Sequence, residues 1–123
     1  MVSDPVALTV QPLQTLVVSV YLPGGTGPAT QHYIAQQENY LAAGNQSGDN
    51  DGDEFNQPIY CWMFLSGVDV KPSRHITGAV ITLGDSITDG IGSTSDANTR
   101  YPDWLAQRLA SRDDVTMSVS NAA

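Results

Sequence analysis

The chain has 123 residues, 41% of them apolar, and carries a net charge of −8. That length suits one ordinary domain or pieces of two, and the apolar content argues against disorder of the whole chain. The acidic balance (pI about 4.2) argues against nucleic acid and anionic membrane surfaces, which need clustered Lys and Arg.

The N-terminal segment Met1-Val2-Ser3-Asp4-Pro5 has no basic stretch followed by an apolar one, so no signal peptide is visible. Residues 1–70 read as β structure. Val6 to Val10 alternates apolar with small or polar residues. Leu16-Val17-Val18-Ser19-Val20-Tyr21-Leu22 is rich in β-branched residues and runs into the turn signal Pro23-Gly24-Gly25. Tyr33 to Tyr40 suits a short helix or a strand. Ile59 to Leu65 is another strand candidate, followed by Ser66-Gly67 and Val68-Asp69-Val70. Short strands at such intervals predict an antiparallel sandwich.

Between these strands lies the acidic stretch Asp49-Asn50-Asp51-Gly52-Asp53-Glu54. A calcium loop of the EF-hand type starting at Asp49 would need glycine at its sixth position and Glu at its twelfth; Glu54 and Tyr60 stand there instead. A solvated loop is the better reading, with an irregular calcium site as the alternative. Asn45-Gln46-Ser47 matches the glycosylation sequon, a triplet that often occurs by chance. The single cysteine, Cys61, excludes an internal disulfide; within its apolar run it reads as a buried, inert thiol. One Cys and two distant His make no zinc ligand set, and no run of 18 apolar residues marks a membrane span.

Lys71-Pro72-Ser73-Arg74-His75 reads as a junction, dividing the chain into a β segment, residues 1–75, and a second unit, residues 76–123. After it the periodicity changes. Ala79-Val80-Ile81-Thr82-Leu83 is a continuous apolar run, as expected for a strand buried on both faces of a parallel sheet. A loop over Gly90 to Arg100 follows. A helix is predicted from about Pro102, with Pro in the first turn, Asp103 near the positive end of the dipole, and Arg108 and Arg112 near the other. Trp104, Leu105 and Leu109 are expected to form its apolar face. Val115 to Val119 reads as a second strand, parallel to the first. The class is therefore α/β: a βαβ unit preceded by a partial β-sandwich. Because the chain stops at Asn121-Ala122-Ala123, where that strand would leave the sheet, a truncated α/β domain is expected.

The chemistry concentrates in Gly84-Asp85-Ser86-Ile87-Thr88-Asp89-Gly90. A strand running into a Gly-flanked serine presents a nucleophile at the carboxyl edge of a sheet, where open α/β sheets bind ligands. Serine needs a base to take its proton and donors for the oxyanion formed on attack at a carbonyl. Its own N–H can be one such donor, and Gly84 and Gly90 let the chain turn tightly and let substrate approach the backbone. From composition alone, a plain strand-to-loop turn remains an alternative.

Val80-Ile81-Thr82-Leu83-Gly84-Asp85-Ser86-Ile87-Thr88-Asp89-Gly90 closely resembles the first block of the GDSL, or SGNH, serine hydrolases. Ser93-Thr94-Ser95-Asp96-Ala97-Asn98-Thr99-Arg100-Tyr101-Pro102-Asp103-Trp104-Leu105 resembles the continuation in one bacterial branch. The resemblance covers residues 79–123. It implies a flavodoxin-like hydrolase domain, of which this chain holds the first βαβ unit, and an esterase or lipase activity without cofactor or metal. Ser86 would be the nucleophile and, through its N–H, part of the oxyanion hole. Asp85 and Asp89 would support the turn by hydrogen bonding, and Asn121 would open the second block. The oxyanion-hole glycine of that block, the third-block asparagine and the Asp-x-x-His that supplies the base lie outside these residues, so the isolated chain is expected to be inactive or nearly so.

Ser3-Asp4-Pro5-Val6, Val18-Ser19-Val20-Tyr21-Leu22-Pro23 and Phe64-Leu65-Ser66-Gly67-Val68-Asp69-Val70 more weakly resemble the jelly-roll-like sandwich segment preceding the hydrolase domain in that branch. Neither histidine fits the base: His75 precedes the strand and falls roughly 20 Å away at its wrong end, and His32 lies in the β segment. Both read as surface or structural. The expected partner is a carboxylic ester, whether an acetylated carbohydrate, a short acyl ester or a lipid. The rival reading is a carbohydrate-binding module using Tyr33, Tyr60 and Trp62. A phosphate-binding loop is weak, because Gly84 to Gly90 contains no lysine.

Overall fold

The parallel strand pair predicted after residue 78 is the longest sheet of the molecule. A computed structural model of the chain describes residues 2–73 and 75–123. In chain order, the elements are β1 (Gln31–His32), β2 (Asn39–Leu41), β3 (Gln57–Ile59), β4 (Trp62–Met63), β5 (Gly78–Thr82), α1 (Ser86–Asp89), α2 (Tyr101–Ala110) and β6 (Met117–Asn121). β5 and β6 pair in parallel, from Gly78 opposite Met117 to Thr82 opposite Asn121. Parallel neighbours need a crossover, and α1 with α2 supplies it.

α2 begins one residue before the expected proline. Asp103 closes the first turn: its Oδ2 accepts from the backbone N–H of Arg100 at 2.9 Å and from Arg100 Nε at 3.0 Å. This satisfies a donor the helix itself leaves orphaned. At the other end the Ser111 N–H donates to the Gln107 carbonyl and the Ser111 hydroxyl to the Arg108 carbonyl. Beyond it, Arg112 and Asp114 form an exposed pair at 2.6 Å. The hydrogen bond from Arg112 holds the Asp114 carboxyl below its ordinary range, although so exposed a pair adds little to stability.

Two expectations about packing are corrected. β5 is not buried on both faces. Gly78, Val80 and Thr82 are half-buried, whereas Ala79, Ile81 and the following Leu83 are exposed. Among the described residues this sheet has two strands and α2 packs on β6, while Ala79, Ile81 and Leu83 on the other face stay exposed. Nor does Trp104 join the helix's inner face. Pro102 is buried and Leu105, Ala106 and Leu109 are half-buried, while Trp104 is 54% exposed. Its position falls about 100° around the helix from Leu105, and its indole Nε1 donates back to the Thr99 carbonyl at 3.1 Å.

The β segment departs further from the sequence reading. Residues 6–10 and 16–22 form no ladder. The β content of the segment lies in two separate antiparallel pairs, β1 with β4 and β2 with β3. β-branched residues favour a strand only where a neighbouring strand and a core are available to pack against, and Val17 is 92% exposed. The stretch 33–40 is a loop that runs from the end of β1 into the first two residues of β2. Cys61, expected buried, is half-buried, since the ladders beside it are only two and three residues long.

Among the described residues, Ala35 and Pro102 are the buried apolar ones, and no large apolar side chain is fully buried. The accessible surface is 9751 Å², against about 6,400 Å² for a compact monomer of this mass. The isolated 123-residue chain is therefore expected to bind a hydrophobic dye and to melt without a sharp calorimetric peak. A cooperative transition with no dye binding would contradict this.

Candidate functional site

β5 delivers the chain to Gly84 and Asp85 at its carboxyl end, and α1 starts at once. Where the motif predicts a turn, the chain makes a single helical turn. Asp85 is the N-cap, in extended conformation, and its Oδ1 accepts from the Ile87 N–H at 3.0 Å. This is the ordinary use of aspartate at a helix start, where its carboxylate accepts an N–H that the helix leaves free. The Ser86 carbonyl accepts from the N–H groups of both Gly90 and Ile91, each at 3.0 Å. Gly90 ends the turn in the left-handed region, with φ of 90°.

Both flanking glycines are required by close approach. A Cβ on Gly84 would lie 2.8 Å from Thr88 Cβ and closer still to Thr88 Oγ1. A Cβ on Gly90 would lie 2.5 Å from Arg100 Cδ, and closer to Arg100 Cγ. Thr88 is buried, and its Oγ1 accepts from the Tyr101 hydroxyl at 3.1 Å, fastening α1 to the start of α2.

Ser86 occupies the first position of α1. Its side chain is exposed, and its Oγ makes no hydrogen bond among the described residues. Its N–H is one of the first of the helix, which have no intrahelical acceptor. A free hydroxyl and a free N–H on one residue leave room for a carbonyl carbon at the first and its oxygen at the second.

Asn121, the last residue of β6, reaches across to this turn. Its Nδ2 donates to the Thr88 carbonyl at 2.8 Å, and its Oδ1 accepts from the Thr82 hydroxyl at 3.2 Å. The ends of both parallel strands are thus tied to α1. Gly84, Asp85, Ser86, Asp89, Gly90 and Asn121 all lie in this one cluster.

Asp89 is 8% exposed. Its Oδ1 lies 2.9 Å from His32 Nε2, a contact that sequence reasoning missed. The Nε2 atom is shut off from water, and the approach is too far off the N–H direction for a well-formed hydrogen bond, so the contact is close but misaligned. His32 and Asp89 are far apart in sequence, and neither has a local signature that pairs them. His75 stays at the entry of β5, exposed, with Nδ1 2.9 Å from the Ile76 carbonyl oxygen.

A second set of contacts runs from the β segment to the loop after α1. Asp96 N–H donates to the Gln36 carbonyl, the Glu38 N–H donates to Asp96 Oδ1 at 2.8 Å, and Gln37 Nε2 donates to Asn98 Oδ1 at 3.1 Å. Asp96 and Asn98 both have positive φ, a conformation these two residue types tolerate better than most.

A cleft of about 440 Å³ opens beside the cluster, lined by His32, Trp62, Phe64, Leu65 and Asn121 among others. Of the aromatics read as sugar-binding candidates, Tyr33 and Tyr60 are exposed and only Trp62 lines this cleft. Tyr60 and Tyr40 both hydrogen-bond Glu38, and the bond to Glu38 raises the Tyr40 phenol above its ordinary pKa. In the acidic loop, Asp49 accepts from the N–H groups of Asp51 and Glu54, so its carboxylate serves the loop's own backbone. No group of three acidic, His or Cys side chains placed to hold a metal ion occurs among the described residues. No protein-family model, curated protein or solved structure matches the chain.

Proposed function

We propose that these residues belong to a serine ester hydrolase of the GDSL/SGNH type, with Ser86 as the nucleophile. The observation that carries the reading is an exposed, unbonded serine hydroxyl at the carboxyl end of a parallel strand, on a turn fixed by the Asp85 cap and two glycines that tolerate no Cβ. In this reading Ser86 Oγ attacks the ester carbonyl carbon while a base takes its proton. The tetrahedral intermediate places its oxyanion against the Ser86 N–H, the alcohol leaves with a proton, and water then releases the acid from the acyl-enzyme. No cofactor takes part. The fold around the site would be the first βαβ unit of a flavodoxin-like domain.

The base is not supplied by any group in contact with Ser86 Oγ among the described residues, and neither histidine follows an aspartate by three positions. The 123 residues on their own are accordingly expected to show little or no turnover. The test of the reading is hydrolysis of a short p-nitrophenyl ester by the natural protein carrying these residues, with and without Ser86→Ala. Retained turnover in the variant would sink it. Robust turnover by the isolated 123 residues, lost in Ser86→Ala, would keep the nucleophile and contradict the placement of the base.

A further inference from the structure

We infer that His32 is a positioning residue for the serine turn, acting through Asp89; this rests on the serine-hydrolase reading. Asp89 is the last residue of α1, one helical turn after Ser86, and the two share the same short backbone ring, since the next two N–H groups both bond the Ser86 carbonyl. With so few bonds in the ring, displacement of the Asp89 side chain moves Ser86 with it.

The Asp89 carboxylate is buried and finds its one side-chain partner, among the described residues, in His32. A carboxylate with little access to water favours a polar neighbour over an apolar one. At 2.9 Å, His32 Nε2 sits directly against the Asp89 carboxylate. With Nε2 facing Asp89, that nitrogen is not offered to Ser86. His32 is therefore placed as a brace, not as the general base.

The brace does not act alone. His32 sits in β1, and the chain leaving β1 clamps the loop after α1 through Gln36, Gln37 and Glu38. The serine turn is thus held on one side by Asn121 and Tyr101 and on the other by the β segment. This gives residues 31–38 a part in the catalytic geometry and not only in a separate module.

The experiment measures kcat and KM for a p-nitrophenyl ester in the natural protein carrying these residues, comparing His32→Ala, His32→Gln, Asp89→Asn and the His32→Ala/Asp89→Asn pair, with Ser86→Ala as reference. His32→Ala is expected to lower kcat by about 10- to 100-fold, the scale of a small misplacement of a reacting group, with KM changed by less than about threefold. His32→Gln, whose amide N–H₂ reaches the place of Nε2, should recover most of the loss. Asp89→Asn should lower kcat similarly, and the pair should lose no more than either single variant, as expected for two groups acting through one contact. Wild-type kcat in His32→Ala, or additive losses in the pair, would overturn the inference. So would a folded His32→Gln as impaired as His32→Ala; should His32→Ala fail to fold, Gln and Asp89→Asn decide alone. Turnover that survives Ser86→Ala would instead refute the serine reading itself, whatever the His32 variants do.

Discussion

Ser86→Ala is expected to lower ester turnover by at least about 10³-fold in the natural protein, the scale seen when a serine nucleophile is removed. The loss should come with no loss of stability. Ser86 Oγ is exposed and bonds nothing among the described residues, so its removal breaks no contact. Alanine also suits the first position of a helix. The change in unfolding free energy should stay within about 0.5 kcal/mol, as for other surface substitutions. Turnover and denaturant midpoint measured on the same preparation separate the two effects. A drop in both would mean that Ser86 is structural.

Gly90→Ala is expected to damage both. Gly90 combines two demands that each exclude a side chain: φ of 90°, and the Arg100 side chain packed where a Cβ would go. The backbone strain alone costs about 1–3 kcal/mol. The clash adds to it, because moving the Arg100 side chain aside strains its Nε bond to Asp103 in the first turn of α2. Gly92→Ala is the control. Gly92 has nearly the same φ, 89°, but open space around its Cβ position. Gly90→Ala should therefore destabilise more than Gly92→Ala and should lower turnover, because it loosens the turn that carries Ser86. Equal effects in a denaturant titration would show that the Arg100 contact carries no weight. Gly84→Ala tests the complementary case, a clash with Thr88 at a position that is not in the left-handed region.

What the sequence made legible was local. The run Ala79 to Leu83 and the Gly-Asp-Ser motif place a strand and a turn side by side because both signals lie within a dozen residues of each other. The helix after Arg100 announced itself through Pro102 and Asp103, whose roles depend only on neighbours three residues away. The parallel partner was legible because a strand, a helix and a strand leave few other pairings. The failures are those of long-range packing. Leu16 to Leu22 has the composition of a strand but forms no ladder. Ile81 is apolar in a strand and still 68% exposed, since nothing covers its face. The His32–Asp89 contact was invisible for the same reason: it depends on where β1 comes to lie against α1, and no periodicity in either segment encodes that.

The central claim is that Ser86 is the group that becomes acylated, and mass-spectrometric mapping of the natural protein after treatment with a fluorophosphonate tests it most directly. The predicted result is a single covalent adduct on the peptide containing Ser86, formed in step with loss of ester turnover and absent in Ser86→Ala. An adduct on a different serine that tracks the loss of turnover, or turnover that persists with Ser86 fully modified, would contradict it.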